Sequence, residues 1–232
     1  MTARLALAAT AFVLAACTPP ASEPETPPAP VVVNAPSGEY ALDPNHTSVT
    51  VRVSHFGLSH YTLRFNTASG TLNFNAEDPA QSSIEASVAT TSLDTPYGGP
   101  RDFDAELQNS EWLDSASFPA ATFRSTAVEQ TGPGAANVTG DLTIRGVTHP
   151  ITLAVTYNAS HSPHPMGVQI SLIGFSARGT FNRSDYGLNV LQPTAGANDG
   201  VSNDVELIIE AEFTRPIENT PAPANTPAEP VN

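Results

Sequence analysis

The stretch Val138–Tyr157, VTGDLTIRGVTHPITLAVTY, constrains the fold more than any other part of the chain. Val138, Gly140, Leu142 and Ile144 fall on one face, and Thr139, Asp141, Thr143 and Arg145 on the other. The second half repeats the pattern, with Ile151, Leu153, Val155 and Tyr157 opposed to Thr152, Ala154 and Thr156. Two period-two runs, with Gly146 and Pro150 in the short segment between them, predict an antiparallel hairpin. One face is apolar and the other meets water, so the inner side must be covered by further strands of the same kind.

Those strands are legible. Gly38–Asp43 opens the series, and in the next strand Val49, Val51, Val53 and His55 oppose Ser48, Thr50, Arg52 and Ser54. Phe56-Gly57-Leu58-Ser59 follows as an apolar turn. Leu63 and Phe65 continue a strand, after which the phase slips and Leu72 and Phe74 carry the apolar side; with Gly70 nearby this predicts a bulge or bend. Ile84, Ala86 and Val88 share a face, and Ala120–Glu129, with Phe123, returns to strand after a break. Ile173, Phe175, Ala177 and Phe181 line one side of Val168–Arg183. Val205, Leu207, Ile209, Ala211 and Phe213 line one side of the last strand. Within the break, Arg101–Leu107 predicts a short helix that lays Phe103 and Leu107, with Trp112, over the sheet. About eight antiparallel strands and one cover helix predict an all-β fold whose edges vanish by closure into a barrel, with a two-sheet sandwich as the alternative.

The two ends read differently. Residues 1–16 carry one positive charge, Arg4, then an apolar run from Leu5 to Ala16 too short to span a bilayer, the layout of a secretory signal peptide. The run ends Leu14-Ala15-Ala16-Cys17, which resembles the lipobox of bacterial lipoproteins. That resemblance implies diacylation of Cys17, and Thr18 after it implies the outer membrane. Cys17 is the single cysteine, so no disulfide forms within the chain. Residues 17–37 are a proline-rich tether, 38–215 the folded domain, and 216–232 a disordered proline-rich tail. The net charge of −14 argues against nucleic acid as a partner.

Several motifs together resemble the YceI-like family. These are Asp43-Pro44-Asn45-His46-Thr47 with Val53-Ser54-His55-Phe56-Gly57-Leu58-Ser59, then Arg101-Asp102, then Phe118-Pro119-Ala120-Ala121-Thr122-Phe123. The hairpin Leu142-Thr143-Ile144-Arg145-Gly146-Val147-Thr148-His149-Pro150 follows, and Phe181-Asn182-Arg183-Ser184-Asp185-Tyr186-Gly187 and Asp204-Val205-Glu206-Leu207 close the series. The resemblance runs from Gly38 to Phe213 in order. It implies a lipocalin-like, extended eight-stranded barrel that binds polyisoprenoid or other long-chain lipids in its lumen.

Enzyme machinery is thin. The chain has no Gly-x-Ser-x-Gly, His-Glu-x-x-His or phosphate-cradling glycine loop. His46, His55 and His60, or His161 and His164, are the metal-ligand candidates, but zinc asks for three or four ligands and a supporting shell, and a polar contact at the barrel mouth suits His55 better. Asp102, Asp104 and Glu106 read as helix surface rather than acid–base catalysts, and Arg183-Ser184-Asp185 as a structural turn. Arg101 is the candidate head-group contact, against the plainer role of anchoring the helix. The expected lumen lining is Val49, Val51, Val53, His55, Phe56, Leu63, Phe65, Ile84, Val88, Phe103, Leu107, Trp112, Phe123, Leu142, Ile144, Ile151, Leu153, Val155, Ile173, Phe175, Phe181, Leu207 and Ile209. Small inward residues, among them Ala86, Thr90, Ser92, Gly140, Ala177 and Gly179, are expected to leave space, and strands of about ten residues at roughly 3.3 Å each make a tall tube.

The expectation is a non-enzymatic lipid binder with no cofactor and no metal, in the bacterial cell envelope. Its partners are a long-chain isoprenoid or acyl lipid, the membrane through diacylated Cys17, and a second copy in a homodimer. An accessory presenting isoprenoid quinone to a redox enzyme and an interaction module with a filled core are the alternatives.

Overall fold

The computed structural model describes residues 31–217. Among these residues eleven strands form one antiparallel sheet. They are β1 (Gly38–Leu42), β2 (Ser48–His55), β3 (Ser59–Phe65), β4 (Ala68–Phe74), β5 (Ser83–Ala89), β6 (Leu93–Asp94), β7 (Ala120–Gly132), β8 (Ala135–Ile144), β9 (Val147–His161), β10 (Ile170–Asn182) and β11 (Val201–Pro216). The first six are interrupted halves of longer strands, so the sheet closes as an eight-stranded antiparallel barrel. β1 and β2 lie in line along β11, with Leu42 opposite Phe213 and Ser48 opposite Glu210. β4 and β3 lie in line along β1 and β2, with Thr71 opposite Ala41 and Phe65 opposite Val49. β5 and β6 continue the same way, with Val88 opposite Ala68 and Leu93 opposite Phe65. Neighbours in sequence are neighbours in the sheet, and the pairing of last strand with first removes the edges.

The phase slip read between Phe65 and Leu72 is the joint between β3 and β4. The ladder continues through it, with Asn66 N–H donating to the Ser92 carbonyl at 2.9 Å and Ala89 N–H to the Thr67 carbonyl at 3.0 Å. The central hairpin is tighter than expected. Ile144 pairs with Val147 across Arg145 (φ 51) and Gly146 (φ 72). Two left-handed residues make the turn whose twist matches the flanking strands. Pro150 therefore lies inside β9, opposite Asp141, rather than between the strands. It fits because β9 pairs with β10 only from Ala154 onward, so a residue without an N–H breaks no ladder there.

One end of the barrel is closed by α1 (Phe103–Gln108) and the loop after it. Six residues cannot hold a helix alone, so the cap and the contacts with the barrel maintain it. Asp102 Oδ1 accepts from the Ala105 N–H at 2.9 Å, and Asp104 Oδ1 from the Thr95 N–H and hydroxyl at 3.0 and 2.6 Å. Arg145, on the hairpin turn, donates to the carbonyls of Gly187 at 3.0 Å and Ser110 at 3.2 Å, which ties the turn to the cover.

The segment 31–37 lies against the other end. Ala35 is buried and Val33 packs with Tyr40, Phe74 and Phe213. The Asn34 N–H donates to Ser160 Oγ at 2.7 Å, the Tyr157 hydroxyl to the Val32 carbonyl at 3.2 Å, and the Tyr40 hydroxyl to the Pro36 carbonyl at 2.7 Å. Of the apolar run Val31-Val32-Val33 that follows the prolines, Val33 packs against the barrel end, while Val31 and Val32 stay exposed. The segment read as a signal peptide, Cys17 and most of the segments read as tether and tail lie outside the described residues.

Candidate ligand-binding cavity

Side chains alternate along each strand, and the inward set forms two packed clusters, one near each end. The cluster at the α1 end holds Leu142, Ile144, Ile151, Leu153, Ala177, Tyr186, Leu188 and Leu207. The cluster at the other end holds Ala35, Tyr40, Leu72, Phe74, Ile173, Ala211 and Phe213. Between and beside them the barrel is hollow, enclosing a cavity of about 1000 Å³. That is the upper part of the range of about 300–1,000 Å³ typical of small-molecule sites. β2 shows the hollow most directly: Val49, Val51 and Val53 face the cavity, and Ser48–Ser54 are all only half-buried.

Of the residues assigned to the lining from sequence, all but Phe56, Ile151 and Ile173 form the cavity wall, and Arg101 joins them. Phe56 sits in the β2–β3 turn at φ 53, which rotates it out of the strand's alternation; its ring meets His55 edge-on at 4.7 Å and is partly exposed. Ile151 belongs to the packed cluster at the α1 end. Ile173, 1% exposed, is consumed with Tyr40 in the solid floor at the other end.

Two of the small inward residues do not leave the space expected of them. A side chain at Gly140 would collide with the Phe123 ring, and one at Gly179 would meet Leu153 Cδ2 at 2.6 Å. Those two glycines make room for neighbouring side chains, not for a ligand. Ala86, Thr90 and Ala177 do border the cavity.

The wall contains residues that period-two alternation does not mark. Val31 and Val33 come from the N-terminal segment, and Leu188 and Leu191 from the β10–β11 loop. The run of valines after the prolines was a usable signal for the first pair. Nothing in a linear pattern marks the others, because their orientation depends on how the loop folds back.

Polar groups collect at the α1 end. Arg101 lies over the rings of Phe103 at 4.6 Å and Tyr97 at 5.1 Å, and pairs with Glu106 at 3.2 Å. Among the described residues Glu106 is the one carboxylate on the wall, so paired-carboxylate chemistry has no second member there. The Tyr61 hydroxyl is buried without a hydrogen-bond partner. Arg183 is buried in a short 3-10 turn after β10, and burial pulls the pKa of its guanidinium below the usual arginine value. Beside it, burial and the Asp185 charge push the Tyr186 phenol up to about 12, so it stays neutral.

Of the histidines weighed as metal ligands, His46 stands with Asp43 and Glu212 at the exposed β1–β2 turn. His46 Nδ1 and Asp43 Oδ2 are 2.8 Å apart, and Asp43 also accepts from the Asn45 N–H at 2.9 Å. That is a turn held by its own side chains.

The profile of the YceI-like domain matches residues 40–213 of the chain. A UPF0312 protein of Pseudomonas savastanoi pv. phaseolicola is 35% identical over 167 residues, covering 71% of this chain and 84% of that protein. A UPF0312 protein of Vibrio parahaemolyticus is 33% identical over 180 residues, covering 77% and 89%. Among solved structures, BcnA of Burkholderia cenocepacia superposes with a TM-score of 0.62 at 22% identity, covering 74% of this chain and 98% of that one. The Campylobacter jejuni YceI protein gives 0.58 at 24% identity, covering 68% and 86%. A polyisoprenoid binding domain from Saccharophagus degradans gives 0.54 at 14% identity, covering 76% and 98%. At these identities the structures speak for the shared barrel alone. By the extent of the profile match and the identity to its curated relatives, the chain belongs to the YceI-like family.

Proposed function

We propose that the protein binds one long-chain apolar lipid, a polyisoprenoid, isoprenoid quinone or fatty-acid derivative, in the barrel lumen and stores or carries it within the bacterial envelope. The observation that carries this is the cavity of about 1000 Å³ with its aliphatic and aromatic wall. Filling it with hydrocarbon removes apolar surface from water at about 25 cal/mol per Å². A wall that reaches from Val31 and Val33 at one end to Tyr97 and Leu191 at the other suits an extended chain better than a compact molecule. The Saccharophagus neighbour's description as a polyisoprenoid binding domain is consistent with the same use of the fold.

The same proposal includes export and anchoring. The apolar run before Leu14-Ala15-Ala16-Cys17 would direct the chain to the envelope, and diacylated Cys17 would hold it on the periplasmic side of a membrane, the outer one by the Thr18 criterion. The protein carries lipid without transforming it.

Mass spectrometry of the organic-solvent extract of the protein as purified from the envelope tests the reading. A stoichiometric long-chain lipid is expected. An extract without lipid, from protein that also fails to take up any long-chain isoprenoid or acyl probe, would refute it. Quinone absorbance in the extract would select the redox-accessory version.

A further inference from the structure

At Arg183 the cavity wall breaks the rules of an apolar site. Only 4% of the residue is exposed, and it borders the cavity. Its Nε donates to the Ser202 carbonyl at 2.8 Å, Nη1 to the carbonyls of Leu188 at 2.6 Å and Val190 at 2.8 Å, and Nη2 to the Val201 carbonyl at 2.8 Å. A guanidinium has five N–H groups. Four are used, and one on Nη2 has no partner among the described residues. The partners are all neutral carbonyls. Arg183 forms no ion pair among the described residues, unlike Arg52, Arg101, Arg124 and Arg178, which each reach a glutamate. The wall's one carboxylate among the described residues, Glu106, is taken by Arg101.

A buried cation without a counter-charge is costly, and the cost falls when an anion joins it in the same low-dielectric space. Carbonyl dipoles satisfy the hydrogen bonds but leave the net charge in place. An apolar cavity beside that charge therefore favours an amphiphile whose negative end sits near Arg183 and whose chain fills the rest. The floor around Tyr40 and Ile173, at the opposite end, offers packed hydrocarbon to the chain terminus.

Resting on the lipid-binding reading above, we infer that Arg183 is the polar terminus of the site: it receives an oxyanion head group, carboxylate or phosphate monoester, of a single-chain lipid that lies head toward α1 and tail toward the floor.

The single tryptophan, Trp112, lies on the cavity wall just after α1 and so reports on the head-group end. Delipidated full-length protein is titrated with hexadecanoic acid, its methyl ester and hexadecyl phosphate, and Trp112 fluorescence is followed. Both anions are expected to bind about tenfold or more tightly than the ester, because charge-assisted hydrogen bonds are about twice as strong as neutral ones. The stronger of the two anions names the head-group source. With brominated hexadecanoic acids, a bromine beside the carboxylate should quench Trp112 more than a bromine on the terminal carbon. Arg183→Met should erase the preference of acid over ester. If the ester binds as tightly as the acid to the unaltered protein, or the terminal bromine quenches more, Arg183 is only a staple for the β10–β11 loop and the inference is overturned. Both of those comparisons use the unaltered protein, so either result overturns the inference even if Arg183→Met does not fold. Binding of the ester alone overturns the inference and leaves the lipid carrier standing, whereas failure of all three ligands overturns the inference and the carrier reading together.

Discussion

Val155→Phe separates a ligand tube from a solid core. Val155 is half-buried on β9, faces the cavity, and has Ala136 on one neighbouring strand and Ala177 on the other directly opposite it. All three border the hollow, so an added ring has lateral room as well as space ahead. In a filled core the same change would cost about 1–3 kcal/mol through strained rotamers and displaced backbone. Here the ligand-free protein is expected to change by less than about 0.5 kcal/mol, the range of substitutions that strain nothing. The ligand loses instead. A phenyl ring in the lumen excludes about two to three methylenes of a bound chain, and at about 0.8 kcal/mol each this is roughly 2 kcal/mol. The dissociation constant should rise about thirtyfold. Thermal unfolding of delipidated protein and a Trp112 titration with a long-chain acid measure the two quantities. Ile209→Phe, with Ala177 opposite it on β10 and Val49 on β2, should behave likewise, while Thr156→Val and Glu210→Gln on the outer face should move neither quantity. If both phenylalanine variants unfold earlier without ligand and lipid affinity stays unchanged, the lumen is solid and the carrier reading is lost.

Removing residues 31–37 should lower stability by about 3–4 kcal/mol, the sum of Val33 and Ala35 burial and three hydrogen bonds, which is about 6–16 °C for a domain of this size. A chain starting at Gly38 that melts with one starting at Val31 would show that the segment contributes nothing. His46 is expected to titrate above its ordinary 6.5, because the Asp43 carboxylate accepts its proton-bearing nitrogen, while the same bond holds Asp43 below its ordinary 3.8. The sign follows: the His46 contribution is whole below the unfolded histidine value and fades as pH rises through the raised one, and the Asp43 contribution is lost as pH falls through its depressed value. The turn is therefore firmest in the mildly acidic window between them; NMR titration should show the His46 value falling in Asp43→Asn, and an unchanged value would contradict the pairing. Cys17→Ser should prevent acylation and leave the protein soluble or retained with its signal, and membrane fractionation after correct cleavage would refute the anchor.

Most of the barrel was readable because a closed antiparallel sheet writes its inner face into every second residue. β11 is the clearest example: Val205, Leu207, Ile209, Ala211 and Phe213 alternate with charged or outward residues, and the structure turns each of them inward. The Arg145-Gly146 turn, the slip between Phe65 and Leu72 and the Asp102 cap are likewise local events set by backbone conformations that few residues adopt. What alternation cannot report is depth. Ile173 and Phe175 share one face of one strand, yet Ile173 is sealed in the floor and Phe175 borders the cavity, because Tyr40 and the 31–37 segment come from far away in sequence to fill one level and not the next. Gly140 and Gly179 looked like space and are occupied by Phe123 and Leu153, a matter of side-chain direction across strands. Arg183 read as part of a turn, although it stands in phase with Phe181. Its environment is made by the β10–β11 loop folding back over it, so the sequence by itself determined the barrel and its inner face, while only the tertiary structure decided which inner residues pack on one another, which face a hollow, and that a lone buried charge stands at one end of it.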